Sequence, residues 1–290
     1  MRTMRIFNGF KYWMVSCIFC SGISFNTWAA GFASGTGTVE DPYVVSTADE
    51  LNSVRDNLSA HYKLGADIDL ANWITINTPA TGWAPIGTDA SPFVGTFDGD
   101  GHVIENIWID VDAANVGLFG VIGGDVTIQK LGVIVADGKK ITGSSNVGIL
   151  VGLSTGVGGT KQTLIQEVYV SGNVESKGTL VGGIVGRNNN QHITITNSYA
   201  KGNVYATADG VGGIIGSSYG GCTVLIDKCY ALNNITVDGG GSTGGIMGTT
   251  SASDGAVAQM ESTISNCVAI NKRLSVKDAT PNRIFTWAKQ

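Results

Sequence analysis

The stretch VGGIVGRNNNQHITITNSYAKGNVYATADG, Val181 to Gly210, decides the fold. It opens on a phrase of glycine and isoleucine, and VGGIIG from Val211 begins the same phrase again. The other copies are VGLFG from Val116, VGILVG from Val147 and TGGIMG from Thr243. Successive starts are 31, 34, 30 and 32 residues apart. A period that varies by a few residues is that of a solenoid, whose loops absorb insertions at the rim.

Each copy is followed by a second phrase: TIQKLGV, LIQEVYV, TITNSYA, LIDKCYA and TISNCVA. An isoleucine anchors every one: Ile128, Ile165, Ile195, Ile226 and Ile264. In the middle repeats a third phrase places Val174, Val204 and Ile235 nine residues after the anchor. All three pieces are short and β-prone, and none shows a helical period. The expected fold is all-β: a single-stranded, right-handed parallel β-helix with coils stacked about 4.8 Å apart and equivalent positions in ladders.

Alternation assigns the ladders. In TITNSYA, Ile195 points inward and Thr196 outward, and Asn197 suits a left-handed corner. A corner resets the alternation, so Ser198 and Ala200 point inward and Tyr199 outward. The inward ladder is then Leu131, Val168, Ser198, Cys229 and Cys267, and the outward one Gly132, Tyr169, Tyr199, Tyr230 and Val268. A slip of one residue would exchange the two. Gly183, Gly213 and Gly245 stack in neighbouring coils, where glycine permits a tight corner or a close approach of coils.

The chain has three expected regions. Residues 1–29 read as a secretory signal peptide, with Arg2, Arg5 and Lys11 before an apolar run and Thr27-Trp28-Ala29 at the cleavage site. Lipidation at Cys17 is the alternative for this segment. Residues 30–115 form an N-terminal cap and irregular first coils, and residues 116–290 form the repeats and the C-terminal end. In STADELNSVRDNL, Thr47 and Glu50 make a capping box, and Leu51, Val54 and Leu58 share a face. This short helix is expected to close the solenoid's first edge. The mature chain has no second run long enough to span a membrane. A net charge of −5 argues against a nucleic-acid groove.

Several stretches together resemble the GLUG-motif proteins of bacterial surfaces: GTGTVEDPYVVSTADELNSVRDNL, YKLGADIDL, WAPIG, PFVGTFDGDGHVIENI, VGLFG and the VGGIVG…ITNSYAKGNV repeats. The resemblance covers nearly all of residues 32–285. Such proteins are secreted or surface-attached, and many have no assigned activity. Similar repeats precede the catalytic part of IgA-cleaving metallopeptidases. The resemblance implies a right-handed β-helix at a bacterial surface and supplies no catalytic residues. Longer relatives often continue where this chain ends in PNRIFTWAKQ, in which Ile284, Phe285 and Trp287 are expected to cover the last coil.

The chemistry-bearing residues are few. His61, His102 and His192 do not form the two-histidine, one-glutamate zinc motif of a metallopeptidase. Cys229 and Cys267 project inward as stacked thiols, so a zinc site with Cys222 is not expected. No cofactor is expected either. FDGDGH (Phe97–His102) reads as a glycine-rich turn rather than a calcium loop. Glu167 shares a corner ladder with Lys130, Asn197 and Lys228, and reads as a solvated corner. The candidate ligand-binding residues are Tyr169, Tyr199 and Tyr230, since aromatic faces with polar edges suit sugar rings. Stacked tyrosines also stabilise neighbouring strands without any ligand. Thr196, Lys201 and Asn203 are expected beside them, and Arg187 with Asn188, Asn189 and Asn190 forms a second polar loop. The expected function is a non-catalytic, adhesin-like protein that binds a glycan or a surface protein. The alternatives are a polysaccharide lyase or hydrolase on a β-helix, and a structural spacer in a surface assembly.

Overall fold

The computed structural model describes residues 31–156, 161–239, 241–251, 261–271 and 273–277. The signal segment, Cys17 and the closing PNRIFTWAKQ lie outside them. The chain winds as a parallel β-helix with three sheets. The first sheet stacks eight strands in sequence order, among them Val126–Gln129, Gln162–Gln166, His192–Thr196 and Thr223–Asp227. The second passes through Val103–Ile107, Gly132–Val135, Tyr169–Gly182, Tyr199–Ala206 and Tyr230–Val237. The third stacks Phe119–Gly123, Val151–Thr155, Val185–Asn189, Ile215–Tyr219 and Met247–Ser251.

The repeat phrase sets the register. Val116, Val147, Val181, Val211 and Thr243 are direct partners in successive coils. Thus the unequal spacings leave the ladder intact. Ile128, Ile165, Ile195 and Ile226 form an inward column with no solvent exposure, and Ile264 of the last coil is partly buried against it. In-register pairing stacks these isoleucines directly on one another, so the core is continuous along the axis.

The glycines of the phrase serve close approach, and their φ angles are not left-handed. A methyl group on Gly183 would lie 2.6 Å from Ala200 Cβ, and one on Gly213 would lie 2.6 Å from Ala231 Cβ. Each would also collide with the glycine carbonyl of the following coil. The last glycine of the phrase meets backbone instead: a Cβ on Gly216 would lie 2.7 Å from Val181 N. Left-handed corners fall elsewhere: one set at Lys130, Glu167, Asn197, Lys228 and Asn266, with φ between 50° and 53°, and another just before the phrase at Asn115, Asn146, Leu180 and Gly210.

The first coils are closed by aromatic packing and a helix. Helix α1 (Ala48–Ser53) starts at Thr47, whose hydroxyl accepts from Glu50 N while the Glu50 carboxylate accepts from Thr47 N, the reciprocal pair expected. Leu51 and Val54 are buried and Leu58 packs against the core, although the helix ends at Ser53 and a 3₁₀ turn, Val54–Asp56, takes over. A second helix, α2 (Ala71–Asn77), stands where irregular coil was expected. Asp69 Oδ1 accepts from Ala71 N at 2.8 Å, Ile74 is buried, and Trp73 packs 5.3 Å from Trp83.

Candidate functional site

The corner at Asn197 creates the candidate face. A left-handed residue there turns the chain from the first sheet into the second, and the alternation restarts as expected: Ser198 and Ala200 are buried and Tyr199 is exposed. The residue after the corner also repairs its hydrogen bonds. Ser198 Oγ donates to Thr196 O at 2.8 Å and accepts from Val168 N at 3.1 Å. The thiols below it in the ladder do the same. Cys229 Sγ donates to Asp227 O, Cys267 Sγ donates to Ser265 O, and Cys229 N donates to Cys267 Sγ at 3.4 Å. Cys229 is buried and Cys267 half-buried. Burial pushes the Cys229 thiol up to about 12, so it stays protonated and unreactive. Among the described residues no group of three or more His, Cys, Asp or Glu side chains is placed to hold a metal ion.

The outward column is in register from Gly132 through Tyr169, Tyr199 and Tyr230 to Val268. Its rings do not form one continuous flat face. The Tyr169 ring lies on Gly132, where an added Cβ would fall 2.6 Å from the tyrosine hydroxyl. Its other face stacks on Tyr199, with centroids 5.3 Å apart and planes 11° from parallel. Tyr169 is therefore sandwiched and offers mainly its edge and hydroxyl. Burial, then the neighbouring Tyr199, raises that hydroxyl's pKa above the ordinary phenol range. Tyr230 is the most exposed of the three, at 49 %.

Other columns share this face. Lys201 and Asn203 stand outward on the strand of Tyr199, whereas Thr196 lies before the corner on the first sheet. Asn203 donates to Asn173 Oδ1 at 2.7 Å, and Asn234 donates to Asn203 Oδ1 at 3.0 Å, giving an exposed amide ladder parallel to the tyrosines. An apolar patch completes the face, in which Leu232 and Ile270 join the expected outward residues. Tyr199, Tyr230, Leu232, Val268 and Ile270 are each 38 % exposed or more, and all lie at the C-terminal coils of the second sheet. Carrying the alternation two residues beyond Tyr230 would have placed Leu232 outward.

At the foot of the column is a cavity of about 420 Å³, lined by Asp100, Gly101, Lys130, Leu131, Gly132, Glu167 and Tyr169. Lys63 pairs with Asp100 at 2.9 Å, and His102 with Asp67 at 3.0 Å. The Lys63 hydrogen bond holds the Asp100 carboxyl below the usual range. Val103 N and then His102 do the same for Asp67. FDGDGH is the turn expected, with Asp98 Oδ1 accepting from Asp100 N and left-handed Asp100 and Gly101.

Arg187 to Asn189 are not a loop. They end the strand Val185–Asn189 of the third sheet, and only Asn190 occupies the turn, at φ 53°. Strand alternation turns Asn188 inward, where its amide donates to Gln191 O at 2.7 Å and Ser218 Oγ at 3.0 Å.

Comparison with known proteins places this repeat. Residues 177–205, which hold the Asn197 corner and Tyr199, match the family model "The GLUG motif". The chain carries the GLUG motif. A protein of Evansella cellulosilytica, provisionally named a Gly-rich membrane protein, is 38 % identical over 130 residues. That match covers 43 % of this chain and 15 % of the relative. Halomucin of Haloquadratum walsbyi is 36 % identical over 151 residues, covering 48 % of this chain and 2 % of halomucin. The chain thus spans a small part of these relatives' length. A Bacteroides ovatus crystal structure, provisionally described as an immunoglobulin A1 protease, superposes with a TM-score of 0.61 at 22 % identity. It covers 89 % of this chain and 87 % of its own, and the likeness is one of fold. Among the described residues no helix is long and apolar enough to cross a membrane.

Proposed function

We propose that this chain is a non-catalytic, adhesin-like module of an exported bacterial surface protein, and that the outer face of its second sheet binds a glycan. The supporting observation is the juxtaposition on one face of exposed aromatic and apolar groups with a row of amides. Tyr199, Tyr230 and Leu232 offer apolar surface to the C–H face of a sugar, while Asn173, Asn203, Asn234 and Lys201 offer partners to its hydroxyls. Tyr230 is the stacking platform, because the faces of Tyr169 are occupied by Gly132 and Tyr199. A surface setting agrees with the membrane-protein name of one relative.

The hydrolase and lyase readings fit the geometry less well. A hydrolase needs a carboxyl held protonated near neutral pH. At the foot cavity Asp100 is pulled the other way by its Lys63 hydrogen bond. A lyase needs a base, and the raised phenol of Tyr169 is a poor one at neutral pH. The test is calorimetric titration of the purified protein with the sugar it binds. Tyr230→Ala and Tyr199→Ala should each weaken affinity about tenfold with the fold intact by circular dichroism. Unchanged affinity in both folded variants would remove the tyrosine face from the function.

A further inference from the structure

The cavity at the foot of the tyrosine column lies at a mismatch between two corners. Asp98 pairs with Gln129 and Val103 with Gly132, so the FDGDGH turn holds two more residues than the corner of the next coil. Asp100 and Gly101 of that longer turn line the cavity, and a Cβ added to Gly101 would meet open space. Lys130 and Glu167 line it from the next two coils. They hold the same place in those coils, since Gln129 pairs with Gln166 and Gly132 with Tyr169. Both are exposed, and among the described residues neither enters an ion pair, whereas Asp100 is held by Lys63 at 2.9 Å. Tyr169 completes the lining, with its hydroxyl over Gly132. The corner expected to be merely solvated thus brings a carboxylate, an ammonium and a phenol to one cavity of about 420 Å³.

We infer that this cavity takes one uncharged sugar ring of the bound glycan, a role that rests on glycan binding by the second sheet. Its volume falls in the range of cavities that enclose small ligands. A carboxylate accepts from two neighbouring hydroxyls at once, an ammonium donates to others, and a phenol does either. Glu167, Lys130 and Tyr169 fill these three parts. Charges of both signs select against a charged ring. A uronate meets Glu167 and Asp100, an amino sugar meets Lys130, and like charges brought together cost affinity. A ring that carries only hydroxyls meets neither penalty. Tyr169 also joins the cavity to the stacking platform. Tyr230 stands two coils further along the same column, about 10 Å away along the axis, so one oligosaccharide reaches both.

The experiment follows the backbone amides of Gly101 and Gly132 by NMR in the full protein. D-glucose, D-galactose and D-mannose are titrated, each beside its uronic acid and its 2-amino sugar, at matched ionic strength and about pH 6, where acid and amine are both charged. The expected result is a saturable shift of both amides with at least one neutral hexose, and a weaker response to its two charged forms. In folded Glu167→Gln and Lys130→Gln the same shift should need about tenfold more sugar, since each variant loses a hydrogen bond to a charged group. A tighter response to a uronate or an amino sugar would overturn the assignment. So would unchanged titrations in both variants, or silence of these amides with every hexose. Shifts confined to the Tyr230 and Leu232 amides would overturn the cavity and leave the platform standing. The tyrosine variants described above judge the platform separately.

Discussion

At Asn197 the backbone turns left-handed, and the next two side chains part, Ser198 into the core and Tyr199 to the surface. That division was legible from alternation and one turn-forming asparagine. The corners at Lys130, Glu167 and Lys228 adopt the same φ without such a residue, so ladder pairing imposes the conformation there. What alternation did not reveal is why serine and cysteine share the inward position. Both donate to the carbonyl two residues back and accept the amide left over by the corner of the adjacent coil. This makes Cys229→Ser a mild change at neutral pH, since Ser198 already fills the same role one coil away. The native Cys229 holds its proton more tightly than the unfolded chain, because burial raises the thiol from 9.0 to about 12. Its contribution to stability is therefore complete below about pH 9 and is lost as pH rises through about 12. Thermal unfolding across that range should fall more steeply for the parent than for Cys229→Ser. Parallel curves would show that the thiol's burial does not couple to folding.

Among the elements, the strands were readable and the second helix was not. Three short β-prone phrases with an isoleucine in fixed phase leave few alternatives to stacked parallel strands. Helix α2 is built from Asn72, Trp73, Ile74, Thr75 and Ile76, whose branched and aromatic side chains favour strands by propensity. Tertiary packing decides it: Ile74 enters the core and Trp73 reaches Trp83, while Asp69, just before the N-cap, accepts from Ala71 N, leaving Ile76 78 % exposed. Arg187 and its neighbours were misread for a related reason. A run of asparagines suggests a loop, but the strand ladder continues through Asn189 and only Asn190 turns. Helix α1 shows the opposite case, where local signals suffice. Thr47 and Glu50 satisfy each other's backbone amides at the entry of a helix of only 6 residues. Thr47→Ala should cost about 1 kcal/mol of stability, seen as a lowered urea midpoint with an unchanged slope. No change would place the helix's stability in the packing of Leu51 and Val54 alone.

At the scale of the whole molecule, the solenoid turns a repeated sequence into columns, and columns into surfaces of distinct chemistry. The second sheet presents aromatic, apolar and amide rows side by side. The tyrosine column was visible in the sequence because each tyrosine follows its anchor isoleucine by four residues. The sandwiching of Tyr169 was not, because it depends on the ring falling over Gly132 of the preceding coil. Val268 was read as outward, but Leu232 and Ile270 beside it were not, although the same alternation carried two residues further reaches them. Glycan recognition by the second sheet is the central claim, and a glycan array tests it most directly. The folded protein is screened beside a Tyr199→Ala, Tyr230→Ala double variant. The expected outcome is reproducible binding to one class of sugar, lost in the folded double variant. A blank array from well-folded protein, or binding that the double variant retains, would contradict it.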